Sequence, residues 1–317
     1  MTDPEVIRIG TRGSALARWQ ADHVADLLRQ AYPGLQVEII VFTTRGDQIL
    51  DTPLPLIGGK GVFTAELESA LHAGTVDIAV HSLKDLPTEN PEGLVIGAVP
   101  ARAPVEDALV SKDGLSLDDL PAGAVIGTSS SRRGAQLRYY RPDLQLRDIR
   151  GNVPTRINKV MAQDGTYTAT LLARAGLERL GRADAITQIL PLTVMLPAPG
   201  QGALGIQCRD EPRILDLLAP IEDRPTRLAV EAERAFLAAL GGGCAVPIAA
   251  HAGLADDGML ALTGRVTAHD GTRQIEVNVQ GAMMDENASV DAARALGREA
   301  ARQALQQGAA QILENGQ

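Results

Sequence analysis

Thr11-Arg12-Gly13-Ser14, Gly127-Thr128-Ser129-Ser130-Ser131-Arg132-Arg133 and Arg150-Gly151-Asn152-Val153-Pro154-Thr155-Arg156 share one chemistry. Each puts hydroxyls and guanidinium groups where a strand gives way to a helix, so that free backbone N–H groups converge with them on an anion. The chain carries a formal charge of -9, yet residues 127–156 hold seven arginines (132, 133, 138, 141, 147, 150, 156) against two acids, Asp143 and Asp148. A solvated helix cap explains any one of these loops. Two in tandem point to anion binding, and several carboxylates suit the pattern better than one phosphate: bare carboxylates about 4 Å apart repel by roughly 4 kcal/mol at an effective dielectric near 20. Arginine keeps its charge and grips carboxylate with two N–H groups at once.

Three other segments stand out. His81-Ser82-Leu83-Lys84-Asp85-Leu86-Pro87 sets an acid beside a cation at a strand end, which makes Asp85 the candidate acid/base group and a surface ion-pair turn the plain alternative. Gly241-Gly242-Gly243-Cys244-Ala245 carries a thiol on a glycine run that can approach a bulky group closely. None of the five histidines sits in a motif that would make it the base for Cys244, so attachment of a group suits that sulfur better than turnover. Cys208, after Gly205-Ile206-Gln207, reads as a buried structural thiol. Gly58-Gly59-Lys60-Gly61-Val62-Phe63 reads as a lid carrying one lysine, with an inert surface loop as its rival.

The elements that position these residues follow from periodicity. Val6 to Ile9 is strand-like, Ser14 caps a helix through Leu16, Val24 and Leu28, and Val37 to Phe42 is a second strand. A helical stretch from Phe63 to His72 leads into Asp77 to Val80, and Leu94 to Val99 follows. The pattern restarts after Pro104: a strand at 125–127, a helix opened by Ser129 or Ser130, a strand at 144–149, a helix near 155–161 and a strand at 168–172. Ligands gather at the carboxyl ends of strands in such α/β sheets, so the arginine loops are expected to face one cleft. Past a punctuated stretch, 196–202, the chain reads as a long helix (227–240), three strand-like runs (246–253, 259–267, 273–280) and a final helix over 290–313.

Composition narrows the function. Length predicts about two or three domains at roughly 150 residues each. Aromatics are 3% and the sequence pI is near 5.1. This combination argues against nucleic-acid stacking platforms and against general attraction to phosphate backbones or anionic membranes. An acidic N-terminus and the lack of a long apolar run predict a cytoplasmic protein. No CxxC, HxxxH or HExxH spacing occurs, and no metal is assigned.

The motifs above, with Thr44-Arg45-Gly46-Asp47 and Pro199-Gly200-Gln201-Gly202, run in order over nearly the whole chain and resemble the porphobilinogen deaminase (hydroxymethylbilane synthase) family. The resemblance implies a transferase that condenses four porphobilinogen molecules head to tail with loss of ammonia and releases linear hydroxymethylbilane. It implies a dipyrromethane cofactor joined by a thioether to Cys244, and Asp85 as the catalytic carboxylate that stabilises an azafulvene and the pyrrole N–H groups. Cofactor contacts fall on Ser82, Lys84, Thr128, Ser129, Ser130, Arg132, Arg133 and Arg150; substrate contacts on Arg12, Ser14, Arg156, Arg179 and Gln201; and lid positions on Lys60 and Phe63. Leu56 stands where some relatives carry lysine. The implied fold is α/β in three domains: 1–101 with 198–219, and 104–195, as two lobes resembling type II periplasmic binding proteins, and 222–317 as an α+β domain with a three-stranded antiparallel sheet. A monomer is expected, without nucleic-acid or membrane partners. The rival reading is a non-catalytic binding protein for a small polycarboxylate. A phosphoryl- or acyl-transfer enzyme is a further alternative, lowered by the lack of GxxxxGK[ST] and GxSxG.

Overall fold

The protein is described by a computed structural model covering residues 6–44, 46, 64–242, 246–283 and 290–314. It divides into two compact units, one of residues 1–103 with 203–227, the other of residues 104–202 with 228–317.

In the first unit, β1 (Val6–Arg12), β2 (Gln36–Phe42) and β3 (Ile78–Ser82) are parallel. The next two strands are β4 (Leu94–Ala98) and β10 (Leu204–Arg209), and β10 runs antiparallel between β3 and β4, giving the order β2-β1-β3-β10-β4. Helix α1 (Ala15–Ala31) covers one face because Ala21, Val24, Ala25 and Leu28 recur at helical spacing and pack on Ile7, Ile9, Ile78 and Val80. Helix α2 (Ala65–His72) covers the other through Leu67 and Leu71. Cys208 of β10 is fully buried, and burial pushes its thiol up to about 11, which makes it an inert core group.

The second unit opens with β5 (Asp107–Ser111), then β6 (Val125–Gly127), α3 (Ser131–Tyr140), β7 (Gln145–Arg147), α4 (Val153–Met161), β8 (Ala169–Ala173), α5 (Arg174–Arg179) and β9 (Gln188–Ile189). Its order is β7-β6-β8-β5-β9, with β6 parallel to β7 and β8 and with β5 antiparallel to β8. This repeats the first sheet in space, but here the antiparallel strand enters from upstream in the chain.

After α6 (Pro212–Leu218), helix α7 (Arg224–Ala239) leads to β11 (Ile248–Leu254), β12 (Met259–Thr267) and β13 (Gln274–Ala282), an antiparallel sheet. Helices α8 (Val290–Gln306) and α9 (Ala309–Glu314) complete a core around Phe236, Leu262 and Val277. The single final helix expected over 290–313 is broken at Gly308, whose φ of +96 suits glycine and ends the run. Among the described residues no helix is long and apolar enough to cross a membrane, and no group of three His, Cys, Asp or Glu could hold a metal ion.

Candidate active site

In the first unit the site grows from the carboxyl ends of β1 and β3. Arg12 is the last residue of β1, and Ser14 caps α1, its hydroxyl accepting from Ala17 N at 3.2 Å. Ser82 ends β3, and its Oγ accepts from Gln20 Nε2 at 2.8 Å, which ties the strand end to α1. A 3₁₀ turn over Leu83–Asp85 then buries Leu83 and leaves Asp85 exposed, with Lys84 half-buried between them. The turn sits where it does because β10 presents Gly205 beneath it: a Cβ there would lie 2.8 Å from Leu83 and 3.0 Å from Leu86. Arg12, Ser14, Gln20, Thr64, His81, Ser82 and Asp85 line one open pocket. A carboxylate, a guanidinium and the hydroxyls of three residues at one pocket can recognise an anion and hold a developing cation in the same space. Burial first, and then the nearby Arg12, lower His81 to about 4 against a smaller opposing pull from Gln207, so its ring is neutral at physiological pH.

The second unit places its candidates at the equivalent strand ends. Thr128 Oγ1 accepts from Ser130 N at 3.2 Å, and Ser130 Oγ caps α3 at Arg133 N. Ser129 Oγ donates to Ile149 O at 3.0 Å and accepts from Ile149 N at 3.2 Å, locking the loop after β6 to the loop after β7. Arg150 follows that lock and is half-buried. Gly151 takes φ +114, a turn that a side chain would resist, and Asn152 caps α4 through Thr155 N at 3.0 Å. Arg156 lies one turn along, donating from Nε to Gly151 O at 2.8 Å. Burial, then Arg133 and Arg150, lower its guanidinium to about 10. Arg179, the last residue of α5, donates to Gly202 O at 2.7 Å, and burial lowers it to about 10.

Arg132 and Arg133 are buried together against Asp107, a fully buried carboxylate at the start of β5. Arg132 Nη1 lies 2.7 Å from Asp107 Oδ2 and 2.7 Å from Leu196 O. Arg133 approaches Oδ1 through Nε at 3.1 Å and Nη2 at 2.6 Å, and gives Nη1 to Leu171 O. Gln201, itself fully buried, adds Nε2 to the same Oδ1 at 3.1 Å and to Val105 O at 2.7 Å. Burial alone would raise the Asp107 carboxyl; the two guanidinium groups outweigh it and hold it well below the usual carboxylate range. The local charge surplus is therefore smaller in space than along the sequence. Asp107 takes two arginines, Asp143 pairs with Arg141 at 2.7 Å, and Arg138 donates to His269 O.

Asp107 was not among the residues singled out from the sequence, although an acid opening the apolar run Ala108-Leu109-Val110 is itself a signal: a charge inside a buried strand must have a partner. The sequence reading also passed over Gln136 and Arg265. Gln136 bonds Leu196 N and O, and Arg265 of β12 donates to Gln136 Oε1 at 2.7 Å and to Glu276 Oε2 at 2.7 Å. Glu233 of α7 accepts from Gly200 N and Ala252 N, both at 2.7 Å. The antiparallel sheet is thus keyed to α3, the helix that carries Arg132 and Arg133. Lys60, Phe63 and Cys244, with Leu56, lie outside the described residues.

Residues 7–216 match the family model described as porphobilinogen deaminase, dipyromethane cofactor binding domain, and residues 227–306 match that of the porphobilinogen deaminase C-terminal domain. A porphobilinogen deaminase of Moorella thermoacetica is 49% identical over 309 residues, 97% of this chain and 96% of that one. One of Burkholderia thailandensis is 50% identical over 312 residues, 98% of this chain and 93% of that one. Among solved structures, a nutrient-binding protein from Burkholderia cenocepacia bound to methionine is a distant likeness, with a TM-score of 0.42 at 16% identity over 70% of this chain and 93% of that one. Matched from one end to the other, and built around an exposed aspartate and a set of strand-end arginines, the chain belongs to the porphobilinogen deaminase family.

Proposed function

We propose that this chain joins four porphobilinogen molecules head to tail and releases linear hydroxymethylbilane by hydrolysis. In each step the C–N bond of an aminomethyl group breaks and its methylene carbon bonds to the free α-carbon of the neighbouring pyrrole. The hydrogen displaced there leaves with the nitrogen as ammonia. The observation that carries this reading is the placement of Asp85, an exposed carboxylate at a pocket whose walls include Arg12, Ser14 and Ser82.

Arg12 and Ser14 bind an acetate or propionate of the incoming porphobilinogen, and Ser82 and Lys84 bind its neighbour. Asp85 holds the pyrrole N–H groups and stabilises the positive charge that grows on the ring as the amino group departs, an interaction stronger in the transition state than before it.

The family's dipyrromethane fits the residues of the second unit. Each of its rings carries an acetate and a propionate, and Arg156 is a guanidinium whose burial beside Arg133 and Arg150 leaves its charge poorly compensated until an anion arrives. Arg150, Thr128, Ser129, Ser130, Arg132 and Arg133 would hold it, Cys244 would be its thioether anchor, and Arg156, Arg179 and Gln201 would serve the growing chain. When bound, that group supplies the pyrrole α-carbon at which growth begins. Lys60 and Phe63 are assigned to the lid. The partition into domains 1–101 with 198–219, 104–195 and 222–317 belongs to this reading, as do a monomeric state, a cytoplasmic location and the lack of nucleic-acid partners.

Two measurements on one sample test the proposal. The denatured protein made in a heme-producing cell should weigh more than its amino acids by one dipyrrole, mapped to the Cys244 peptide, and the native protein should release ammonia from porphobilinogen. Unmodified mass in folded protein that binds polycarboxylates but releases no ammonia would leave a binding protein instead.

A further inference from the structure

Arg265 stands in the buried run Gly264–Thr267 of β12, with its side chain 4% exposed. A guanidinium in such a place must be paired. Glu276, its cross-strand neighbour on β13, supplies the charge, accepting from Nε at 2.7 Å. That ion pair does not use Nη1, which donates instead to Gln136 Oε1 at 2.7 Å, while Nη2 also reaches Thr193 O at 3.1 Å. One buried arginine of the C-terminal sheet thus holds both a side chain of α3 and the loop after β9.

Gln136 is buried, and its carboxamide brackets the backbone of Leu196: Oε1 accepts from Leu196 N at 2.9 Å and Nε2 donates to Leu196 O at 3.0 Å. Leu196 lies between β9 and β10 in a stretch without helix or strand, so side chains and not a ladder fix its carbonyl. Arg265 helps settle which way the carboxamide points, because a turned-over amide would set its NH2 against Nη1. The Leu196 carbonyl in turn receives Arg132 Nη1, the same nitrogen that meets Asp107 Oδ2, both at 2.7 Å. Arg132 is therefore anchored by one nitrogen. Its Nε and Nη2 make no hydrogen bond among the described residues, and neither is sealed from the surface, whereas Arg133 has all three of its nitrogens engaged. One edge of the Arg132 guanidinium is left for a ligand.

We propose that Arg265 is a positioning residue for the dipyrrole: through Gln136 it steadies the Leu196 carbonyl that anchors Arg132, and so presents the Nε–Nη2 edge of Arg132 to a cofactor carboxylate. The proposal rests on the assignment of Arg132 to that group. A guanidinium grips a carboxylate with two parallel N–H bonds only while its plane is held, and both bonds weaken together when the anchor slackens. Precision matters here, since misplacing a reacting group by about 1 Å can slow a reaction about 10²-fold. A clasp that merely fastens β12 to α3 is the plainer reading of Arg265. That reading makes no demand on Arg132, so the two differ in what happens once Arg132 is replaced.

Four holoenzymes test it: wild type, Arg265→Met, Arg132→Met and the double variant, with the dipyrrole-bearing fraction counted by denatured mass. Per loaded molecule, Arg265→Met should lower kcat about tenfold and change KM for porphobilinogen less than about threefold, since Arg132 is not assigned to the incoming monomer. In the Arg132→Met background the same change should lower kcat less than about twofold, because the group it positions is gone. Arg265→Lys, which keeps one donor for Gln136, should recover part of the rate. Labelling with ¹⁵N-arginine gives a readout apart from turnover: the Nε–H signal of Arg132, recognised by its loss in Arg132→Met, should exchange with water about tenfold faster in Arg265→Met. An unchanged kcat, an unchanged exchange rate, or losses that multiply in the double variant would each overturn the proposal and leave the clasp. Should Arg265→Met not fold, Gln136→Met breaks the same relay one link on and is read the same way; should Arg132→Met take up no dipyrrole, Arg132→Lys replaces it. Wild-type protein without an attached dipyrrole would instead refute the assignment on which the proposal rests.

Discussion

Arg133 Nη2 stands 2.6 Å from Oδ1 of Asp107, inside the second unit where neither side chain meets appreciable solvent. Arg132 takes the other oxygen. A buried pair of this kind stabilises little in total but is costly to halve, because the partner left behind cannot recover its hydration. Asp107→Asn strands two guanidinium groups and should lower the unfolding free energy by about 3–5 kcal/mol. Urea unfolding checks it; a loss below about 1 kcal/mol would mean that water or another acid replaces the carboxylate.

Asp85 presents the opposite case. It is exposed, and its side chain makes no hydrogen bond among the described residues. Asp85→Ala should therefore change stability by about 0.5 kcal/mol or less. Turnover should fall by at least about 10³-fold, since the charge developing on the substrate loses its counter-charge. Ammonia release and a thermal melt on the same sample check both halves.

The neutral His81 gives the first unit a titration of its own. Its folded value is below its ordinary one, so the unfolded chain binds the proton more readily, and stability falls as pH drops from about 6.5 towards about 4. At about 1.4 kcal/mol per unit, the drop from 6.5 to about 4 is worth roughly 3 kcal/mol. In His81→Leu this part of the slope should vanish, so the difference between the two proteins should grow on acidification. Parallel stability curves over that window would show that the ring is not held neutral.

Arg156 is buried beside the guanidinium groups of Arg133 and Arg150, and among the described residues it has no ion pair of its own. Arg156→Met should raise stability by up to about 1 kcal/mol by removing that repulsion. The same change should raise KM for porphobilinogen about 10- to 100-fold, the range for losing one charge-assisted hydrogen bond. Steady-state kinetics with a denaturation curve test the trade, and a variant that loses both stability and affinity contradicts it.

What could be read from the sequence was local. Ser14 capping α1 and a serine at 129 or 130 opening α3 are decided within four residues of chain, and the structure has Ser14 and Ser130 in those places; Asn152, which caps α4, was not named from the sequence. The arginine loops fall at strand ends because the βα alternation is written in hydrophobic period. Asp107 escaped because its partners lie 25 and 26 residues downstream, and a charge count over a window assigns acids by adjacency in sequence, whereas buried guanidinium groups find them in space. Strand β10 escaped for a similar reason: Leu204–Arg209 is apolar enough for any core, and only pairing with β3 and β4 says where it goes.

The insertion of β10 also governs the order in which the molecule can come into being. Among the described residues the one strand that β4 pairs with is β10, so when residues 94–98 leave the ribosome their neighbour has not been made, and it will not be until about a hundred more residues have followed. The first lobe thus waits, half-assembled, while the second is synthesised, and a chain cut short before residue 204 would carry an open sheet edge of the kind that chaperones and proteases recognise.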